Sequence, residues 1–307
     1  MMMCQGSPVR LSGAGLLAGT EPGSPPVVPS GDDLPECAEF RLLESWNGRR
    51  ELMRRYEARL RSARCSAKAM VLDTVTIRAN PDWGRRLGYD LDRLAAVNGA
   101  AVALASTFRA RWQHQAGHMV INGVIGARGE LQLGRRMDAG EAEAYHAFQV
   151  EALARAKVDR VTARAVDHVD EAIGIAWAAE AFAVPCVISF RLEADGRLAS
   201  GQSLREAVSL VDAATGGSPL SYATDCLNPL RGMATRDEGA SWLDRIGREA
   251  TVPGAGQRGN NHGRPSLATD RLTIERLSTG PGSWLVPVAW TMPWREAQSG
   301  AGSARHC

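Results

Sequence analysis

Lysine is nearly absent from this 307-residue chain: Lys68 and Lys157 are the only two among 36 basic residues, so the other 34 are arginines. Thirty-four acidic residues oppose them and leave a formal net charge of +2. With no run of five like charges, the chain lacks the concentrated positive field that nucleic acid or an anionic membrane surface would require. The arginine excess reads as coding bias rather than phosphate recognition. Long apolar runs are absent too. The first twenty residues hold one arginine and are broken by Gly and Ser, so neither a spanning helix nor a secretory leader is expected. Cysteine is sparse: Cys4, Cys37, Cys65, Cys186, Cys226 and Cys307 show no CxxC spacing. A chain of this length needs no disulfide framework, so reduced thiols and a cytoplasmic setting are expected. No Gly-x-Gly-x-x-Gly follows the first strand, which removes the best support for a dinucleotide-binding sheet. No Ser-His-Asp ordering, phosphate loop or pair of catalytic carboxylates stands out.

What is present is the balance of a globular protein, 44% hydrophobic and 23% charged residues, enough to bury a sizeable core. Residues 1–33 are rich in Gly, Pro and Ser and read as an irregular N-terminal segment. Residues 34–250 alternate helical patterns with short β-branched runs, the mark of βα units around a parallel sheet. Strands are expected at Ala69 to Thr76, His118 to Gly126, Asp159 to Val166, Pro185 to Leu192 and Leu220 to Cys226. Helices are expected at Arg49 to Ala63, Tyr89 to Trp112, Ala139 to Ala156, Val169 to Phe182 and Leu204 to Ala214. A repeat of roughly 30 to 40 residues suits either an eight-fold (β/α) barrel or an open doubly wound sheet. Residues 251–307 lose the pattern and form a divergent C-terminal region.

In a (β/α) barrel the chemistry sits where the strands end. Asp73, Asn122, Arg164, Arg191, Asp225 and Cys226 close expected strands. Cys226 can serve as a zinc ligand or nucleophile once its pKa falls, or can simply be a small buried residue. Asp73 can act as acid or base, or cap the following turn. Arg164 can clamp a carboxylate or snorkel to solvent. His146 and His168 fall on helix flanks, where a satisfied histidine is the commoner finding.

Several segments in order resemble the homocysteine S-methyltransferase family of zinc-dependent (β/α) barrels, which includes betaine-homocysteine methyltransferase. They are GDDLPECAEF from Gly31, LDTVTIRANPDWGRRLGY from Leu72, INGVIGARG from Ile121, EAEAYHAFQVEAL from Glu141, DHVDEA from Asp167, VISFRLEADGRLASGQSLREAV from Val187 and ATDCLNP from Ala223. The resemblance implies an α/β fold, a (β/α)8 TIM-type barrel left incomplete at its C-terminal strands. It implies methyl transfer from a sulfonium donor, S-methylmethionine or S-adenosylmethionine, to a small-molecule thiol, homocysteine, giving methionine. It also implies zinc, held by three cysteine thiolates, as the activator of the acceptor sulfur. Cys226 falls on the first of those cysteines, and Asp73, Asn122 and Asp225 would line the substrate. The family's adjacent cysteine pair near the C-terminus has no counterpart here, where the last residues supply His306 and Cys307. Its Asp-Gly-Gly opening is replaced by LLAGTEPGSPP, and Arg164 stands where a glutamate is expected. These departures also suit another reading, a barrel homologue that has lost its zinc site and binds an amino acid or a partner protein.

Overall fold

A computed structural model describes residues 9–12, 16–18, 34–63, 69–116, 118–128, 136–193, 195–224, 242, 245–246, 249–251 and 283–286. In chain order the strands are β1 (Val9–Ser12), β2 (Leu16–Ala18), β3 (Ala69–Asp73), β4 (His118–Gly126), β5 (Arg160–Val166), β6 (Cys186–Phe190), β7 (Ser221–Thr224), β8 (Glu249–Thr251) and β9 (Ser283–Val286). The helices are α1 (Trp46–Ala63), α2 (Pro81–Arg86), α3 (Leu91–Ala116), α4 (Ala139–Arg155), α5 (Val169–Ala181) and α6 (Leu204–Thr215), preceded by two 3-10 turns over Pro35–Cys37 and Glu39–Glu44. The expected alternation of strands and helices is present through Thr224, with element ends shifted by a few residues. Short strands also lie in the stretches whose composition reads as irregular, because β2 and β9 are only three and four residues long and leave no periodicity to read.

Seven strands form one sheet in the order β7-β6-β5-β4-β3-β2-β8, and every neighbouring pair in it is parallel. Strands β1 and β9 form a separate antiparallel pair. Ile246 makes a parallel bridge to Tyr222 of β7, and β8, starting at Glu249, pairs with β2 at the opposite edge. Both edges of the sheet therefore meet on one short stretch of chain. The result is a (β/α) barrel with seven parallel strands among the described residues, one fewer than the eight of the full architecture.

Local chemistry explains the punctuation. Asn80 caps α2 by accepting from the Trp83 amide, with Pro81 at the first helical position. Asp138 with Glu141, and Ser203 with Glu206, form capping boxes that start α4 and α6. Gly216 ends α6 with φ 62°, a left-handed conformation in which glycine carries no Cβ penalty. Strand β4 is buried along all but its first residue, as a parallel strand covered on both faces should be. Phe108, Ile121, Leu153, Val161, Ile188, Phe190 and Tyr222 pack between sheet and helices. Helix α5 lies close against α4: a Cβ on Gly174 would stand 2.4 Å from the Ala139 carbonyl oxygen and 2.5 Å from the Ala142 Cβ. Among the described residues no helix is long and apolar enough to cross a membrane.

Candidate functional site

Successive strand residues face opposite sides of a sheet. Leu72, Ile121, Ile125, Val161, Ala163, Ile188 and Phe190 belong to the core between sheet and helices. Alternation then turns Asp73, Asn122, Arg160, Thr162, Arg164, Ser189 and Arg191 toward the barrel interior. The same alternation turns the buried Val71, Val120, Val124 and Val187 inward, so the interior mixes apolar and polar walls, and among the described side chains of β3 to β6 Arg160, Arg164 and Arg191 share it with the Asp73 carboxylate. A register shift between Ala163 and Val166 marks a bulge in β5, where Ala165 adopts φ 59°. The extra residue lets both Ala163 and Val166 face the helices and leaves Arg164 on the interior side at the strand's end.

Asn122 is the hub of the interior and is only 3% exposed. Its Nδ2 donates to Asp73 Oδ1 at 2.7 Å. Its Oδ1 accepts from Thr162 Oγ1 at 2.8 Å and from Arg160 Nε at 3.2 Å. Strand register sets this up, since Asp73 and Asn122 are direct partners across β3 and β4, and Asn122 and Arg160 across β4 and β5. Above them, Thr76 Oγ1 donates to the Val124 carbonyl at 2.7 Å and Thr74 Oγ1 accepts from the Val124 amide at 3.0 Å. The chain leaving β3 is thereby laid over the end of β4. Gly126 makes room for it, because a Cβ there would stand 2.5 Å from the Ile77 carbonyl oxygen.

A second buried cluster braces the rim. Glu171 and His146 are each 0% exposed. Glu171 Oε1 accepts from the Arg128 amide at 2.6 Å and from His146 Nε2 at 2.9 Å, the imidazole being the donor because a carboxylate can only accept. Arg128, after β4, also donates to Asp82 at 2.7 Å and covers the Tyr145 ring. His168 Nδ1 lies 2.9 Å from Asp167 Oδ1 and 3.6 Å from Glu171 Oε2. The hydrogen bond to His168 holds the Asp167 pKa below the ordinary carboxylate value against the opposing effect of burial, with Arg136 and Arg191 adding to it. Burial works against charge on His168, but the Asp167 hydrogen bond and the Glu171 and Asp167 charges outweigh it and raise its pKa. Asp167, His168 and Glu171 offer donor atoms within 4.8 Å of one another and could hold a metal ion. They also sit at the N-terminus of α5, where the helix dipole favours negative charge.

The sequence-predicted residues divide accordingly. Asp73 and Asn122 meet in the interior, and Arg164 and Arg191 reach its mouth. Asp225 and Cys226 lie outside the described residues. Arg160 and Thr162 are not strand-end residues and so escape the strand-end rule, although Arg160, Thr162 and Arg164 form a period-two polar stripe along RVTARAV. The described cysteines do not fit a thiolate zinc centre. Cys37 is exposed in a 3-10 turn, while Cys186 packs in the core on the helix side of β6 with its thiol pushed up to about 12 by burial.

A parallel (β/α) barrel with a hydrogen-bonded polar network in its interior is a fold that carries chemistry at the carboxyl ends of its strands. Residues 60–246, more than half of the chain, match the family model for homocysteine S-methyltransferase, and the chain belongs to that family. Its fold is similar to that of the homocysteine methyltransferase MmuM from Escherichia coli. The metallated form superposes with a TM-score of 0.57 at 22% identity, over 70% of this chain and 75% of that one. The oxidized form gives 0.55 at 21% identity, over 70% and 74%. No curated protein sequence matches the chain.

Proposed function

We propose that this chain transfers a methyl group from a sulfonium donor, S-methylmethionine or S-adenosylmethionine, to the sulfur of homocysteine, giving methionine. The observation that carries the reading is the family match over residues 60–246, which takes in β3 to β7 and so most of the barrel. In the reaction the acceptor thiol loses its proton and the thiolate attacks the methyl carbon. The bond from that carbon to the donor sulfur breaks, its electron pair returning to the sulfur, and the donor leaves as a neutral thioether. Positive charge lowers a thiol's pKa, so an interior carrying Arg160, Arg164 and Arg191 favours the thiolate. Asp73, Asn122 and Asp225 line the ligand in this proposal.

Zinc enters the proposal through Cys226 alone. Since Cys37 and Cys186 do not fit a thiolate centre, no step is assigned to the metal. The test is methionine formation from L-homocysteine with each donor, followed by mass spectrometry, with zinc measured on the same preparation. One zinc per chain that disappears in Cys226→Ser together with activity puts the metal in the reaction. Methionine made by zinc-free protein assigns thiol activation to the guanidiniums.

Two features of the sequence favour a second reading. Arg164 takes the place of an expected glutamate, and the chain has no adjacent cysteines, which suits a barrel that binds an amino acid without transforming it. Folded protein that binds homocysteine but yields no methionine from either donor would establish that reading and end the first.

A further inference from the structure

We propose that Asp167, His168 and Glu171 form a site of nitrogen and oxygen ligands for one divalent transition-metal ion, zinc being the preferred one, at the start of α5 and apart from any cysteine centre. The inference goes beyond the methyl-transfer reading and does not depend on it.

Spacing carries it first. A tetrahedral zinc ion with bonds of about 2.0–2.2 Å holds its ligand atoms about 3.3–3.6 Å apart. The donor atoms of the three residues all fall within 4.8 Å of one another, and His168 Nδ1 lies 2.9 Å from Asp167 Oδ1 and 3.6 Å from Glu171 Oε2. An ion therefore fits with small side-chain shifts. The local backbone arranges this. His168 precedes the first turn of α5 in an extended conformation, φ −149° and ψ 157°, and makes no side-chain capping bond, while Glu171 stands three residues on and so on the same side of the helix.

Glu171 Oε2 then marks the group as a ligand site. The side chain is 0% exposed, and Oε2, although it faces His168, has no hydrogen-bond partner among the described residues. A buried carboxylate oxygen left without a donor is costly, and a cation in front of it answers that charge. The other oxygen is held by the Arg128 amide at 2.6 Å and by His146 Nε2 at 2.9 Å, as outer hydrogen bonds orient metal-binding carboxylates. The His168 ring bonds only within the group, through Nδ1 to Asp167, and its buried Nε2 has no partner among the described residues. Asp167 is the ligand that reaches solvent, with 20% of its side chain exposed, and it gives an ion and its remaining water a way in. The imidazole selects the metal, since magnesium and calcium prefer oxygen alone while zinc takes nitrogen and oxygen together. The charges of Arg136 and Arg191 act on Asp167 and offset part of the attraction. The expected dissociation constant is accordingly about 1–10 μM, so this ion washes out during purification where a thiolate-bound zinc stays.

The experiment is calorimetric titration of the metal-stripped full chain carrying Cys226→Ser, first with zinc, then with magnesium, and then with cobalt(II) followed by absorption. The expected result is one zinc per chain, magnesium at least about 100-fold weaker, and a cobalt complex with visible bands but no thiolate-to-cobalt charge transfer. Asp167→Asn and Glu171→Gln, each added to that background, should weaken zinc by at least about 10-fold. Glu171→Gln keeps an oxygen for the Arg128 amide and His146, so a cooperative melting transition shows that it is folded, and the zinc-induced rise in melting temperature should vanish with it. Zinc binding unchanged in both variants overturns the proposal, as does a failure to bind zinc stoichiometrically or a thiolate band in the cobalt complex. Should Cys226→Ser not fold, the same two variants are compared in the otherwise unaltered chain. There Glu171→Gln should lose one micromolar zinc equivalent, and an unchanged count overturns the proposal.

Discussion

Asn122 donates its amide to Asp73 across neighbouring strands at 2.7 Å while its carbonyl oxygen collects hydrogen bonds from Arg160 and Thr162. One neutral side chain thus joins an anion on β3 to a cation on β5 in the middle of the barrel. The parallel register makes it possible, since each strand contributes its member of the chain at matching height. A buried network of this kind is stabilising only while every member is satisfied.

Asn122→Ala should therefore be costly. It strands the Asp73 carboxylate, the Thr162 hydroxyl and part of the Arg160 guanidinium together, and leaving buried polar partners unmet costs about 2–4 kcal/mol. Urea denaturation should show a lowered midpoint with an unchanged slope. A loss under about 1 kcal/mol would mean that water replaces the amide and that the hub carries little stability.

The pairing of His168 with Asp167 gives the protein a defined pH response. Asp167 has a lowered pKa, so its contribution is present above its ordinary 3.8 and fades as pH falls through the folded value. His168 has a raised pKa, so its contribution is present below its ordinary 6.5 and fades as pH rises through the folded value. Both contribute fully between 3.8 and 6.5. The charges facing the pair are Glu171, Arg136 and Arg191. The melting-temperature difference between wild type and His168→Gln should be greatest within that window and shrink on the alkaline side. A difference that stays flat from weakly acid to alkaline pH would show that the imidazole is not ionised there.

Much of this architecture is legible in the residues. The run HMVINGVIG gives β4 with both ends right, and the strand-end rule picks out Asp73 and Asn122, which the register then sets side by side. What escapes is nonlocal. Nothing in LLA or EAT marks β2 and β8 as neighbours, because three residues have no period and the pairing joins positions more than two hundred residues apart. The bulge at Ala165 is equally silent, since alanine has no preference for positive φ. It decides the facing of Arg164 and Val166, so that part of the mouth follows from backbone geometry rather than composition.

Gly174 offers a test in which two effects have opposite signs. In an isolated helix, Gly→Ala is stabilising by about 1 kcal/mol. Here the new Cβ would lie 2.4 Å from the Ala139 carbonyl oxygen and 2.6 Å from the Glu143 amide nitrogen, both backbone atoms of α4 that cannot swing aside. Overpacking of that kind costs about 1–3 kcal/mol or more. Gly174→Ala should therefore be net destabilising in chemical denaturation. A stabilised variant would mean that α4 and α5 separate at little cost.

The last prediction concerns the described thiols, and it bears on where a metal could be held. Cys186 is 3% exposed and its thiol is pushed up to about 12 by burial, with nearby Arg160 only partly offsetting this. The thiolate is the reactive and metal-binding form, so at neutral pH Cys186 is neither. Cys37 is exposed. Brief treatment of native protein with iodoacetamide at pH 7.5, followed by peptide mass spectrometry, should modify Cys37 and spare Cys186. Modification of both should follow only after denaturation. Rapid native labelling of Cys186 would require β6 to open to solvent, which its pairing with β5 on one side and β7 on the other opposes. If the expected pattern holds, any zinc found in the protein is held without Cys186.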